Sequence, residues 1–398
     1  MGQKPDAGFI WSIANLLRGP YKPKEYGEVV LPMTILRRLD CVLAPTKDAV
    51  RAEWIAARDR TNKDLLDVRL RKRSGYTFYK TSQYTLPSLT GDSANIKANL
   101  LSYIDGFSDN IRDVFTRFGF EDQIQRLDEA NALYLVLQRF AAIDLSPAQV
   151  SNTEMGIVFE ELIRKFAEAS NETAGEHFTP REVIALMVDL LLVGDEDATG
   201  KANIIRTVYD PAAGTGGMLS TMDEHLRKQN ATASLKMAGQ EVNPSSYAVC
   251  KADMVIKGQA VEAIVLGNTL TDDAHAGSTF HYCLSNPPFG VEWKTSEREV
   301  RREHAQMGFQ GRFGPGLPAV SDGSMLFLLH LISKMRDVDP EHEETRGRAA
   351  IVLNGSPLFT GKAGSGESEI RRWVIESDLL DAIVALPTDM FYNTGIAT

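Results

Sequence analysis

Ile204-Ile205-Arg206-Thr207-Val208-Tyr209 runs directly into Asp210-Pro211-Ala212-Ala213-Gly214-Thr215-Gly216-Gly217, and this junction decides how the rest of the chain reads. The first six residues are rich in β-branched and aromatic side chains, the composition of a strand. The glycines let the backbone turn sharply, and Gly217 to Gln229 then reads as a helix. Outward from this unit, strands and helices alternate. Upstream, Glu154 to Ala169 is a helix, Ser170 to Thr179 a polar loop, and a second helix starts near Pro180. Downstream, Lys236–Glu241 is a strand, and Asn243-Pro244 opens a helix running to about Ile256. Ala263–Leu266 and His281–Leu284 are strands, Gly323–Met335 a helix, Ala349–Leu353 a strand, Ser368–Glu376 a helix and Leu380–Ala385 a strand. The pattern predicts an α/β domain, a parallel sheet covered by helices on both faces. Ligands of such sheets bind beyond the carboxyl ends of the strands, where each motif below falls.

The first part of the chain reads differently. Apolar residues recur at helical spacing in Thr34 to Leu43 and in Leu127 to Phe140, with breaks such as Thr85 to Asp92. The expected organisation is therefore a helical N-terminal domain, residues 1–150, followed by the α/β domain, residues 151–398. A chain of 398 residues, 43% hydrophobic and 24% charged, has room for two such cores. The apolar run Val183 to Val193 is too short to span a membrane and carries Asp189, and the start of the chain lacks a signal-peptide pattern. Three widely spaced cysteines, Cys41, Cys250 and Cys283, form no metal spacing and point to a reduced, cytoplasmic setting.

The glycine loop is a ligand site by its chemistry. The N-terminus of the following helix presents unpaired N–H groups to a phosphate or a carboxylate. A dinucleotide fingerprint needs a sixth-position glycine, and counting from Gly214 that position is Leu219. No Lys-Ser/Thr pair follows, so the loop is not a P-loop. Asp210 before it repels a pyrophosphate and favours a ligand carrying an ammonium or sulfonium group. S-adenosylmethionine carries both, and a carboxylate for the helix N-terminus. Glu241, closing the second strand, is placed to accept ribose hydroxyls.

Ser285-Asn286-Pro287-Pro288-Phe289-Gly290 follows the fourth strand. Two prolines hold the backbone extended and remove two N–H donors, leaving carbonyl acceptors without competition. Asn286 adds a side-chain oxygen, and Phe289 a flat face for a planar ring. This set fits an exocyclic amine on a heteroaromatic ring, a poor nucleophile because its lone pair is delocalised. Two acceptors, the Asn286 side chain and the Pro287 carbonyl, can hold both amine hydrogens, so that the lone pair is aimed at an electrophilic methyl group. A base in a duplex must first be extruded and stacked. Methylation at carbon 5 of cytosine would need a cysteine nucleophile, usually after proline. No Pro-Cys pair occurs, and Cys283 lies inside a predicted strand. Neither a metal nor a covalent intermediate is called for.

With these motifs in order, the chain resembles the methyltransferase (modification) subunit of bacterial type I restriction-modification systems. The resemblance is strong from Met155 onward and weaker over Phe9 to about Phe140. It implies a Rossmann-like S-adenosylmethionine-dependent methyltransferase sheet with a helical N-terminal domain, making N6-methyladenine in DNA. It also implies roles for particular residues. Glu176-His177-Phe178-Thr179-Pro180-Arg181 lies against the methionine end of the cofactor. Asp210, Ala212, Gly214, Thr215, Gly216 and Gly217 form the cofactor loop, with Glu241 on the ribose and Asn268 and Thr269 near the adenine ring. Asn286, Pro287, Pro288 and Phe289 are catalytic, and Asp322-Gly323-Ser324 and Asn354-Gly355-Ser356 are later motifs. The implied partners are DNA, a specificity subunit that reads the sequence, and an ATP-driven restriction subunit. In relatives the last stretch, Phe391 to Thr398, continues into another strand and a helical tail, so the chain is expected to be truncated there.

The net charge of −10 fits this division of labour, because a protein holding DNA alone normally carries a basic excess. The basic clusters Arg69 to Arg73 and Arg298 to Arg302 read as solvated faces. Two rivals remain: a methyltransferase of protein glutamine side chains, which uses a similar tetrapeptide more often ending in tyrosine, and a catalytically silent cofactor-binding scaffold. A nicotinamide oxidoreductase would leave Asn286 to Phe289 unexplained.

Overall fold

The computed structural model describes residues 7–170, 179–338, 346–388, 390–391 and 398. The chain divides into two compact units, one made of residues 1–173 with 244–260, the other of 174–243 with 261–398.

The first unit is helical. Its elements are α1 (Ala7–Ile13), α2 (Gly27–Leu43), α3 (Lys47–Ala57), α4 (Lys63–Ser74), α5 (Leu86–Leu89), α6 (Ile96–Asp105), α7 (Asp109–Arg117), α8 (Phe120–Glu129), α9 (Leu133–Ala141) and α10 (Asn152–Ser170). Helix α2 is buried almost all round, as a central helix must be, and its Arg38 is fully buried. That guanidinium donates through its two terminal nitrogens to the carbonyls of Leu145 (2.5 Å) and Val150 (2.7 Å) and to Asn152 Oδ1 (2.6 Å), so it fastens the connection into α10. Asp40 meets buried Lys80 at 2.6 Å and Tyr103 at 2.7 Å, and accepts from Leu86 N at 3.1 Å. The periodic stretch Leu127 to Phe140 is two helices rather than one. Asn131 adopts a left-handed φ of 54°, and the chain turns between α8 and α9. Apolar periodicity carries across the turn because Leu127, Leu133, Val136, Leu137 and Phe140 all face the core.

The second unit begins with α11 (Arg181–Leu192) and α12 (Glu196–Gly200), then β1 (Ile205–Asp210), α13 (Gly217–Gln229) and β2 (Ser234–Glu241). Pro180 stands just outside α11 as its N-cap, and its carbonyl accepts from Val183 and Ile184. The chain then forms α14 (Pro244–Ile256), which belongs to the helical unit, and returns for β3 (Ile264–Leu266) and β4 (Tyr282–Ser285). It ends through α15 (Glu297–Met307), α16 (Ser324–Lys334), β5 (Arg348–Ile351), α17 (Ser356–Phe359) and α18 (Gly366–Glu376). The described strands form one sheet in the order β3-β2-β1-β4-β5, every pair parallel. Tyr209 and Cys283 are partners across β1 and β4, and they pack with Leu331 of α16 on one face. Tyr282, alternate to Cys283, reaches Asp195 on the other.

The expected strand Leu380–Ala385 does not form. Leu380, Ile383 and Val384 are exposed, and β5 pairs with β4 alone among the described residues. A strand exists through its ladder bonds, and apolar composition cannot supply the neighbour.

Candidate functional site

The strand order reverses beside β1, with β2 on one side and β4 on the other. In a parallel sheet this switch point opens a crevice at the carboxyl ends, because the connections depart in opposite directions. Asp210 ends β1, Asn286 follows directly on β4, and Glu241 ends β2. The two sequence motifs therefore lie on adjacent strands, at the same edge of the sheet.

The glycine loop is built closely on its neighbours. Gly214 (φ 53°) and Gly216 (φ 79°) take left-handed conformations that a side chain would strain. Ala213 N donates to Gln240 O at 3.0 Å. Gly239 of β2 lies beneath, where a Cβ would come within 3.1 Å of the Ala213 side chain. Among the described residues no side chain caps α13, so its first N–H groups can meet a ligand.

Glu241 holds this loop as well as closing β2. Its Oε2 accepts from Gly214 N at 2.8 Å and its Oε1 from Asn243 N at 2.7 Å. Asp210 is buried, and its Oδ1 accepts from Ala212 N at 3.0 Å. Burial pushes its carboxyl up to about 7, with Glu241 adding to the rise and the Ala212 N–H only partly opposing it. A buried carboxylate that no basic side chain among the described residues offsets fits a cationic ligand group.

Thr269 ties the loop down, and its neighbour Asn268 braces the turn that follows β3. Thr269 Oγ1 donates to Pro211 O at 2.6 Å, while Asn268 donates to Ser296 Oγ at 3.1 Å and accepts from Leu270 N. Behind them lies a polar chain that the sequence did not reveal. Arg312 donates to Thr269 O (2.7 Å) and Leu270 O (3.2 Å), pairs with Glu303 at 2.6 Å and reaches His330 Nδ1 at 3.2 Å. Burial, with Arg312 beside it, holds His330 well below the ordinary imidazole range and hence neutral. With Nδ1 accepting from Arg312, Nε2 carries the proton and donates to Tyr209 Oη at 2.9 Å. Tyr209 and Pro211, the residues flanking Asp210, are thereby fixed through one connected network. Arg312 and His330 have no motif around them, and only the fold brings them here.

In the tetrapeptide, Asn286 Nδ2 donates to Thr179 Oγ1 at 2.8 Å, while its Oδ1 is buried and has no partner among the described residues. Ser285 Oγ is likewise buried without a partner. Pro287 is buried, Phe289 is half-buried and meets Phe391 edge to face at 6.1 Å, and Gly290 turns the chain away with φ 62°. Of the segment before α11, Thr179, Pro180 and Arg181 are described, whereas Glu176, His177 and Phe178 lie outside the described residues. Asp322 and Asn354 each accept from the backbone N–H two residues on, so these later motifs shape the starts of α16 and α17. In the basic clusters, Arg69 pairs with Glu53, Arg71 with Asp67, Arg298 with Glu299 and Arg301 with Glu297. No helix among the described residues is long and apolar enough to cross a membrane.

Comparison with known proteins matches two regions of the chain. Residues 150–398, more than half of the chain, match the family model of the N-6 DNA methylases, and residues 7–140 match that of the HsdM N-terminal domain. The methylase subunit of the type I restriction enzyme MjaIX from Methanocaldococcus jannaschii is 26% identical, over 97% of this chain and 67% of its own length. The EcoKI methylase subunit of Escherichia coli K12 is 28% identical, over 62% of this chain and 44% of its own. Across the first three such relatives the chain spans 42% to 67% of their length. Among solved structures, the methyltransferase subunit of a type I restriction-modification system from Streptococcus thermophilus superposes with a TM-score of 0.70. It is 23% identical, covering 98% of this chain and 82% of that one, a likeness of fold.

Proposed function

The chain belongs to the N-6 DNA methylase family, and from that premise we propose that it methylates the N6 amine of adenine in DNA, as the modification subunit of a type I restriction-modification complex. The observation that carries the chemistry is the buried, unpartnered Oδ1 of Asn286 on the strand next to the Asp210 loop. An orphaned acceptor at that depth costs stability unless a donor arrives with the substrate.

The cofactor we propose is S-adenosylmethionine, and the residues present fit it. The uncompensated Asp210 carboxyl suits a cationic centre, Glu241 a ribose diol, and the uncapped start of α13 a carboxylate. When bound, it supplies an electrophilic methyl group. The chain's own contribution is placement. Asn286 Oδ1 and the Pro287 carbonyl accept the two amine hydrogens and keep the nitrogen lone pair directed out of the ring plane. Phe289 stacks on the extruded base. Positioning of this kind can supply most of the rate enhancement of a transfer reaction.

The cofactor assignments given above for Pro180, Arg181, Ala212, Thr215, Asn268 and Thr269, and for Glu176, His177 and Phe178, stand as part of this proposal, with Thr269 acting through the loop it ties, whereas Thr179 is assigned to Asn286, which it bonds. So do the division into domains at residue 150, the cytoplasmic setting, and the partners: a specificity subunit and a restriction subunit. The acidic charge supports a partner that holds the DNA.

The test is methyl transfer. The chain, recovered from its host with whatever accompanies it, is given labelled S-adenosylmethionine and DNA free of host modification. Label in N6-methyladenosine is the expected result. Label in a co-purified protein would replace this reading with glutamine methylation, and no label despite bound cofactor would replace it with a silent scaffold.

A further inference from the structure

Thr179 and Asn286 stand 107 residues apart in sequence and meet at 2.8 Å. Building on the reading of Asn286 as the amine acceptor, we propose that Thr179 is a positioning residue that locks the Asn286 carboxamide in its working orientation. A carboxamide is nearly symmetric in shape, and only its hydrogen bonds decide which end faces the substrate. Reversed, Asn286 would present its NH2 donor to the amine hydrogens and repel them. The Thr179 hydroxyl accepts from Nδ2, and Oδ1 is the end without a partner among the described residues; reversed, the same hydroxyl could donate to Oδ1, but the NH2 would then lose its acceptor and face the N–H donors of the substrate.

The surroundings add no second anchor. Pro287 and Pro288 have no N–H to hold Oδ1 in place, and Asn286 makes no other side-chain hydrogen bond among the described residues. Thr179 is itself held firmly, because the next residue, Pro180, caps α11 through its carbonyl. The start of α11 is thus coupled to the end of β4. This gives Thr179 a task distinct from the cofactor contact that the resemblance implies for its segment.

Thr179→Val keeps the shape and removes the acceptor, and Thr179→Ser keeps the acceptor. Both are compared with wild type as the full chain with its native partners. Thr179→Val is expected to lower kcat about 10- to 100-fold, the scale of stranding a buried polar group. Cofactor affinity by calorimetry stays within about twofold, and Thr179→Ser retains most of kcat. An unchanged kcat in Thr179→Val, or lost cofactor affinity with kcat retained, overturns the proposal. A second readout does not use activity. The Asn286 side-chain amide resonance, identified by its loss in Asn286→Asp, should exchange slowly in wild type and Thr179→Ser and fast in Thr179→Val. Equal exchange in all three overturns the lock. Slow exchange in a wild-type protein that methylates no DNA would sink the proposed function and leave the lock standing.

Discussion

The two ends of the parallel sheet treat polar groups in opposite ways. At the amino ends, Asp195 takes two hydrogen bonds from Arg206, at 2.8 and 2.7 Å, and one from Tyr282 at 2.5 Å. Burial would raise the Asp195 carboxyl, yet these bonds outweigh it and hold it at about 2. At the carboxyl ends, Asp210 is raised to about 7 and Asn286 Oδ1 has no partner among the described residues. The same strands carry both sets, so the contrast belongs to the ends and not to the elements. Groups at one end are matched by the protein itself, and under the proposed function groups at the other are matched by what binds. Substitutions should therefore separate stability from function according to the end they touch.

The largest separation is expected at Asn286. Under the proposed function, Asn286→Ala removes the acceptor for the substrate amine, so methyl transfer should fall by roughly a thousandfold, comparable to the loss of a preorganised donor or acceptor elsewhere. Cofactor affinity and melting temperature should hold. Equal loss of cofactor affinity in a calorimetric titration would show that Asn286 belongs to the cofactor and not to the base.

Arg206→Ala tests the opposite end. It leaves the Asp195 carboxylate buried beside Tyr282 without its cation, at a cost of about 3 kcal/mol. Denaturant unfolding should record that loss while cofactor affinity stays constant. A shift in affinity with no shift in stability would erase the distinction between the ends.

Asp210→Asn is the intermediate case and reverses the sign of the stability effect. Removing a carboxyl that resists ionisation should stabilise the cofactor-free protein by about 2 kcal/mol at pH 8, while weakening cofactor binding by about 30-fold. Both changes come from one residue, and both are required. A variant that loses stability as well as affinity would mark Asp210 as a structural carboxylate of the Asp195 kind.

Local sequence made part of this contrast legible. The Asp210 loop and the Asn286 tetrapeptide are continuous stretches whose glycines and prolines dictate their backbones, and the strand-helix alternation placed them at one edge. What bears on them from a distance was not legible. Thr179 is a cofactor contact only by the family resemblance of its segment, and its bond to Asn286 exists only once α11 and β4 are assembled. Arg312 and His330 are similarly silent until Tyr209, Thr269 and Pro211 come together. Leu380–Ala385 fails for the same reason in reverse. Its apolar residues satisfy a local rule, and no described strand completes it.

The smallest effect is the pH dependence of cofactor binding, and its sign follows from Asp210 alone. Its folded carboxyl titrates at about 7, above the ordinary value of 3.8, so the cofactor-free protein retains a proton that the unfolded chain has lost. That contribution to stability is complete below pH 3.8 and disappears as pH rises through about 7. A cationic ligand group requires the ionised form, so binding below pH 7 must expel the proton. Affinity should climb about tenfold between pH 5.5 and 7 and then level off, with proton release in the acidic arm measurable by titration in buffers of different ionisation enthalpy. Asp210→Asn should flatten the profile. A profile that keeps its slope in that variant would move the titrating group elsewhere, and with it the claim that the carboxyl end of β1 holds an unmatched charge for the ligand.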